Sequence, residues 1–167
     1  MALKTITVCL WFDGNGEEAA QYYTSIFPTS KIINTTRYLE AGREFHGQEP
    51  GKVMTVAFEL DGHPFMALNG GPQFQFSLAT SFVVHCKDQA EVDYYWTKLG
   101  DGGDASKSQC GWLQDKLGVA WQVVPSALIE MLTSADEKKV ANVTNAMMKM
   151  KKFDIAELKA AFEFGNK

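Results

Sequence analysis

The sequence has little sulfur chemistry and little imidazole. Its three cysteines, Cys9, Cys86 and Cys110, are odd in number and never stand at C-x-x-C spacing, which excludes a disulfide framework and a structural zinc cluster and points to the cytoplasm. The three histidines fall in a long polar loop (His46), a tight turn (His63) and a strand (His85), a spacing with no metal-ligand pattern. Positive charge is also sparse. Sixteen Lys and Arg face 20 Asp and Glu, the net charge is -4, and no basic run exceeds KK, so a nucleic-acid partner is not expected. No apolar stretch approaches the roughly 20 residues of a spanning helix, and no membrane partner is expected.

What the chain does have is apolar and aromatic residues. At 167 residues and 46% hydrophobic it can bury the core of one domain or of two small modules. Thr5 to Phe12 alternates as a strand and ends in DGNG. EEAAQYYTSIF then spaces Ala19, Ala20, Tyr23 and Phe27 as a helix up to Pro28. Three strands follow, KIINTTRYL, VMTVAFEL and PFMALN, the first two separated by a long polar loop and the last two by a DGH turn.

The second half repeats this order. SFVVHC reads as a strand, KDQAEVDYYWTKLG as a helix stopped at Gly100, and CGWLQD and GVAWQVVP as strands after a glycine-rich turn. YYTSI at Tyr22 echoes YWTKL at Tyr95, and LDGHPFMALN echoes KLGVAWQVVP when Gly62 is laid on Gly118. After Pro125 the chain turns helical: SALIEML, then ADEKKVANVTNAMMKM behind a capping-box pattern at Ser134 and Glu137, then DIAELKAAFEF behind Asp154 with Glu157 three residues on. The methionines Met147, Met148 and Met150 suit either helical packing or a groove. The expected domains are a tandem module pair over residues 1–126, with modules at about 4–70 and 79–125, and a helical extension over 127–167.

Two βαβββ units in tandem, with FDGNGEEAAQYYTSIFP, GWLQDKLGVAWQ and the tail NAMMKMKKFDIAELKAA, resemble the PhnB-like branch of the glyoxalase, bleomycin-resistance and dioxygenase superfamily, also called the vicinal oxygen chelate fold. The resemblance implies an α+β fold in which paired modules form a cup for a small molecule, often over a divalent metal held by inward side chains of the first and last strands of each module. Carried over to this chain, those positions are Gln122, Met66, Ser81 and, counting back from Asp13, Ile6, or Thr5 or Thr7 if the register shifts by one. Such a set offers neither imidazole nor carboxylate, so neither a metal nor another cofactor is expected.

The expected ligand-binding residues are Met66, Ser81, Val83, His85 and Gln122, with Trp112 and Tyr38 near the rim, while Trp121 and Phe65 pack under the helices. His85 shares the Ser81 face and is the one candidate for proton transfer. The resemblance also brings the label 3-demethylubiquinone-9 3-methyltransferase. The only glycine-rich segment that could serve S-adenosylmethionine, Leu99 to Ala105, follows a helix and not a strand, which argues against the label. Asp101 and Asp104 in that segment fall short of the oxygen count calcium needs. Three readings result: a binding protein for an apolar or aromatic small molecule, an enzyme (the methyltransferase, or a lyase or isomerase), and a structural dimer with a filled cup. A homodimer is the expected assembly.

Overall fold

Alternating burial sets the strands of the first half. The computed structural model describes residues 6–164, and the chain divides into two compact units, Met1–Gln75 and Phe76–Lys167. The first contains β1 (Val8–Phe12), α1 (Gly16–Ile26), β2 (Lys31–Arg37), α2 (Arg43–His46), β3 (Val53–Leu60) and β4 (His63–Asn69). Its sheet has the order β1-β4-β3-β2, with β1 parallel to β4 and the other pairs antiparallel. Val56, Phe58 and Leu60 on β3 and Phe65, Ala67 and Asn69 on β4 are buried. Helix α1 packs on these two strands through Ala19, Ala20 and Tyr23, the Tyr23 ring stacking over Phe58 at 6.4 Å. The turn between β3 and β4 places Asp61 and Gly62 at positive φ, the geometry of a two-residue hairpin. The polar loop before β3 is not wholly irregular: α2 forms one helical turn between Gly42 and Gly47, both left-handed.

The second unit contains β5 (Phe82–Cys86), α3 (Gln89–Gly100), a 3-10 turn (Ala105–Lys107), β6 (Trp112–Gln114), β7 (Ala120–Pro125), α4 (Ser126–Leu132), α5 (Glu137–Met147) and α6 (Ile155–Phe164). Its sheet has the order β5-β7-β6, with β5 parallel to β7. The α+β architecture of two related modules and a helical tail therefore stands as expected. Among the described residues the second module is the shorter one, because glycine-rich and 3-10 turns occupy the place of a strand after its helix.

The tail has its own apolar core, including Leu128, Val143, Ala146, Phe153 and Leu158, and it is tied to the second module by backbone. Cys110 N–H and Gly111 N–H donate to the carbonyls of Met150 and Lys151, both at 2.7 Å. Gln89 donates through Nε2 to Phe153 O and accepts Ile155 N–H on Oε1. Asp154 accepts Glu157 N–H at the start of α6, as its position suggests. The expected cap of α5 is corrected: Asp136 takes Lys138 N–H and Lys139 N–H, while Ser134 Oγ accepts only Asp136 N–H. An ionised carboxylate at the positive end of a helix is a stronger acceptor than a hydroxyl two residues earlier.

Asn69 ties the first unit together. Its buried Oδ1 accepts Gly16 N–H at 2.8 Å at the start of α1, its Nδ2 donates to Val53 O, and its own carbonyl accepts the Tyr38 hydroxyl at 2.6 Å. Gly16 is required at that approach, since a Cβ there would stand 2.8 Å from Oδ1. Asn69→Ala would leave a helix-terminal N–H unpaired away from water and is expected to lower stability by about 1–3 kcal/mol in urea unfolding. Asn69→Asp keeps the acceptor for Gly16 N–H but sets a carboxylate oxygen against Val53 O, so it is not expected to restore the wild-type stability.

Candidate functional site

The site begins with a turn. In the segment DKLGVAWQ, Asp115 is buried at 3% exposure, and its Oδ1 accepts Leu117 N–H and Val119 N–H at 2.8 and 3.0 Å. Its Oδ2 accepts the Trp121 indole N–H at 2.8 Å. One carboxylate thus closes the β6–β7 turn and fixes Trp121 on the helix side of the sheet, where its ring lies 5.3 Å from that of Phe82. Strand alternation then leaves Gln122 no choice but the opposite face.

On that face the register aligns Val83, Gln122 and Trp112 across β5, β7 and β6, with His85 beside Val124 one step along. Ser81 lies just before β5 on the same side, and Gln122 Nε2 donates to its hydroxyl at 2.9 Å. The amide within an apolar strand is therefore half satisfied by a serine 41 residues away, and among the described residues its oxygen has no partner. Val83 is 44% exposed and His85 is exposed, while Gln122 and Trp112 are half-buried. Val124 packs against the core of the helical tail, so the tail borders this face.

The first unit has a corresponding open face. Met66 is half-buried on it, in register with Cys9 on β1 and Ala57 on β3. The pairs Cys9–Met66 and Val83–Gln122 make Cys9 the counterpart of Val83. Two residues earlier, Thr7 and not Ile6 is then the counterpart of Ser81, and Thr5 lies outside the described residues. Tyr38 does not stand at an open rim. At 6% exposure it is buried, with its ring 4.6 Å from that of His46 and its hydroxyl on Asn69 O.

Residues 4–124 match the model of the family described as 3-demethylubiquinone-9 3-methyltransferase. The chain belongs to this PhnB-like family. Among solved structures it is similar to a putative 3-demethylubiquinone-9 3-methyltransferase, PhnB protein, from Bacillus cereus, with 33% identity over 74% of this chain and 100% of that one and a TM-score of 0.64. It shares its fold with protein PA1353 from Pseudomonas aeruginosa, at 20% identity over 73% and 97% of the two chains and a TM-score of 0.55. The fold is shared too with the fosfomycin resistance protein FosX from Listeria monocytogenes, at 14% identity over 80% and 100% and a TM-score of 0.54. No match was found among curated proteins.

The resemblance to the vicinal oxygen chelate fold implies a divalent metal on these strand positions. The donors at these positions are the Thr7 hydroxyl and the Met66 thioether in the first unit and the Ser81 hydroxyl and the Gln122 amide in the second, where Ser81 and Gln122 are already bonded to each other. This set does not fit a divalent cation, which asks for imidazole or carboxylate. Among the described residues no group of three or more His, Cys, Asp or Glu converges.

Of the seven expected lining residues, five share the open face of the second sheet, Met66 belongs to the first unit, and Tyr38 is interior. Val124 and Cys9, on these two faces, were missed. Alternation from Gln122 and from the buried Leu10 was the available signal. The glycine-rich segment of this PhnB-like protein lines a pocket of about 320 Å³ with Trp96, Leu113 and Gln114, at the C-terminal end of α3. Asp104 in it is spent locally: its Oδ1 accepts both the N–H and the hydroxyl of Ser106. No described helix is long and apolar enough to cross a membrane.

Proposed function

We propose that the open face of the second sheet binds a flat apolar or aromatic small molecule, without a resident metal, in a protein that acts as a cytoplasmic homodimer. The observation that carries the reading is the row Val83, Gln122, Trp112: a partly exposed apolar surface with a single amide that is oriented through its nitrogen by Ser81 and whose oxygen has no partner among the described residues. Shape and stacking supply the binding energy on such a face, and the amide sets the pose. His85, one register step away, faces Val124 and has no carboxylate paired with it across the strands, so its role is polar contact at the edge of the ligand.

A thermal-shift screen with quinones and planar aromatic antibiotics tests this. A binding compound is expected to raise the melting temperature. Gln122→Ala is expected to weaken that compound about tenfold, equivalent to about 1.4 kcal/mol, and Val83→Glu to abolish the shift. A shift unchanged in both variants would move the binding site elsewhere. Light scattering on the eluting protein reads the dimer directly.

The second reading is the methyltransferase named in the family description, supported by the match over residues 4–124. The pocket at the end of α3 is where S-adenosylmethionine would have to be tested. A melting shift with S-adenosylmethionine that Gly103→Ala removes would favour it, since a Cβ at Gly103 would stand 2.1 Å from Gln114 O and force apart two residues that line the pocket.

A further inference from the structure

Two sulfur atoms that the proposed ligand face does not use lie together on the outside of the second unit. Cys110 precedes β6, Met148 caps the C-terminal end of α5, and the Cys110 Sγ is 3.8 Å from the Met148 Sδ. Met148 is 54% exposed, an unusual position for a thioether with apolar packing available nearby. Both segments are clamped by main chain. Cys110 N–H and Gly111 N–H donate to Met150 O and Lys151 O, and Gln109 Nε2 donates to Met148 O at 2.9 Å. The donors come from segments 38 residues apart in sequence and are held together by bonds that do not involve either sulfur.

We propose that Cys110 and Met148 form a binding site for a soft monovalent metal ion, Cu(I) in the first place. The separation suits one shared ion: two sulfurs 3.8 Å apart, each about 2.3 Å from a metal, subtend an angle of roughly 110°. That bent arrangement leaves a third position open to solvent or to a small thiol. A thiolate with a thioether selects Cu(I), because hard divalent ions bind thioethers poorly. On binding, the Cys110 S–H bond breaks, the Sγ–Cu bond forms and the proton passes to solvent. Met148 Sδ contributes a lone pair, and copper stays monovalent, so no electrons are exchanged.

The other thiols serve as internal controls. Cys86 is buried, out of reach of an added ion, so it does not compete. Cys9 is exposed on the first unit, and among the described residues only Cys110 has its sulfur in contact with a methionine sulfur. The full-length reduced protein is titrated anaerobically with Cu(I) against bicinchoninate. One equivalent is expected to bind, with Cys110→Ser and Met148→Leu each weakening it tenfold or more and Cys9→Ser leaving it unchanged. Wild-type affinity in Met148→Leu, or loss of binding in Cys9→Ser, overturns the proposal. Should Cys110→Ser fail to fold, the conservative Met148→Leu still decides, since leucine keeps the apolar contact and removes only the donor.

Discussion

Asp115→Ala is expected to lower the unfolding free energy by about 3–5 kcal/mol, because it strands three donors at once. Leu117 N–H, Val119 N–H and the Trp121 indole N–H all converge on this one carboxylate, and an unpaired buried donor costs about 1–3 kcal/mol. Backbone contacts keep part of the turn, since Asp115 N–H still donates to Val119 O and Gly118 N–H to Asp115 O. The sum is therefore below the simple total of three losses. For a chain of this size the melting temperature should fall by roughly 6–20 °C. Asp115→Asn separates charge from geometry. It has one oxygen for three donors and must place an NH₂ group against another N–H, so it is expected to recover only part of the loss. A melting temperature within 2–3 °C of wild type for Asp115→Ala, in the range ordinary surface changes produce, would show that water or a neighbour replaces the carboxylate.

The same carboxylate explains why the Gln122 face was legible in the sequence while other parts of the site were not. The DKLGVAWQ turn is local: an aspartate, a glycine and a tryptophan six residues after the aspartate fix the strand count, and alternation does the rest. The first strand had no such anchor. Asp13 and Asp88 look equivalent, but only Asp88 caps a helix, accepting Glu91 N–H at the start of α3. In the first unit the cap position falls to Asn15, which makes no side-chain cap, and the Gly16 N–H reaches across to Asn69 instead. Counting from Asp13 therefore missed by one, giving Ile6 where the register gives Thr7.

Tyr38 shows the other kind of failure. Its burial depends on a hydrogen bond to Asn69, 31 residues away, and nothing in the local pattern distinguishes that tyrosine from one at an open rim. The α2 turn was hidden for a related reason. Three of its four residues are polar and the fourth, Phe45, is exposed, so it buries no apolar face; what ends it on both sides is the left-handed backbone of two glycines.

Gly111→Ala is expected to cost about 2–5 kcal/mol, the other large effect in the molecule. Gly111 sits at φ +80°, where a side chain adds about 1–2 kcal/mol of backbone strain, and its Cβ would stand 2.4 Å from Phe153 Cε2, which adds about 1–3 kcal/mol of overpacking. The ring has little room to retreat, because Phe153 is buried in the core of the tail. Urea unfolding of the single variants and of Gly111→Ala with Phe153→Leu divides the two causes. If the clash contributes, the pair should be more stable than the sum of the single losses, with a coupling of about 1 kcal/mol. Strict additivity would assign the whole effect to the backbone. The consequence reaches the candidate site, because Gly111 O accepts Val123 N–H at 2.8 Å while Gly111 N–H donates to Lys151 O. One residue thus links the tail to the strand that carries Gln122, and loosening it should weaken any ligand of that face even though Gly111 does not lie on it.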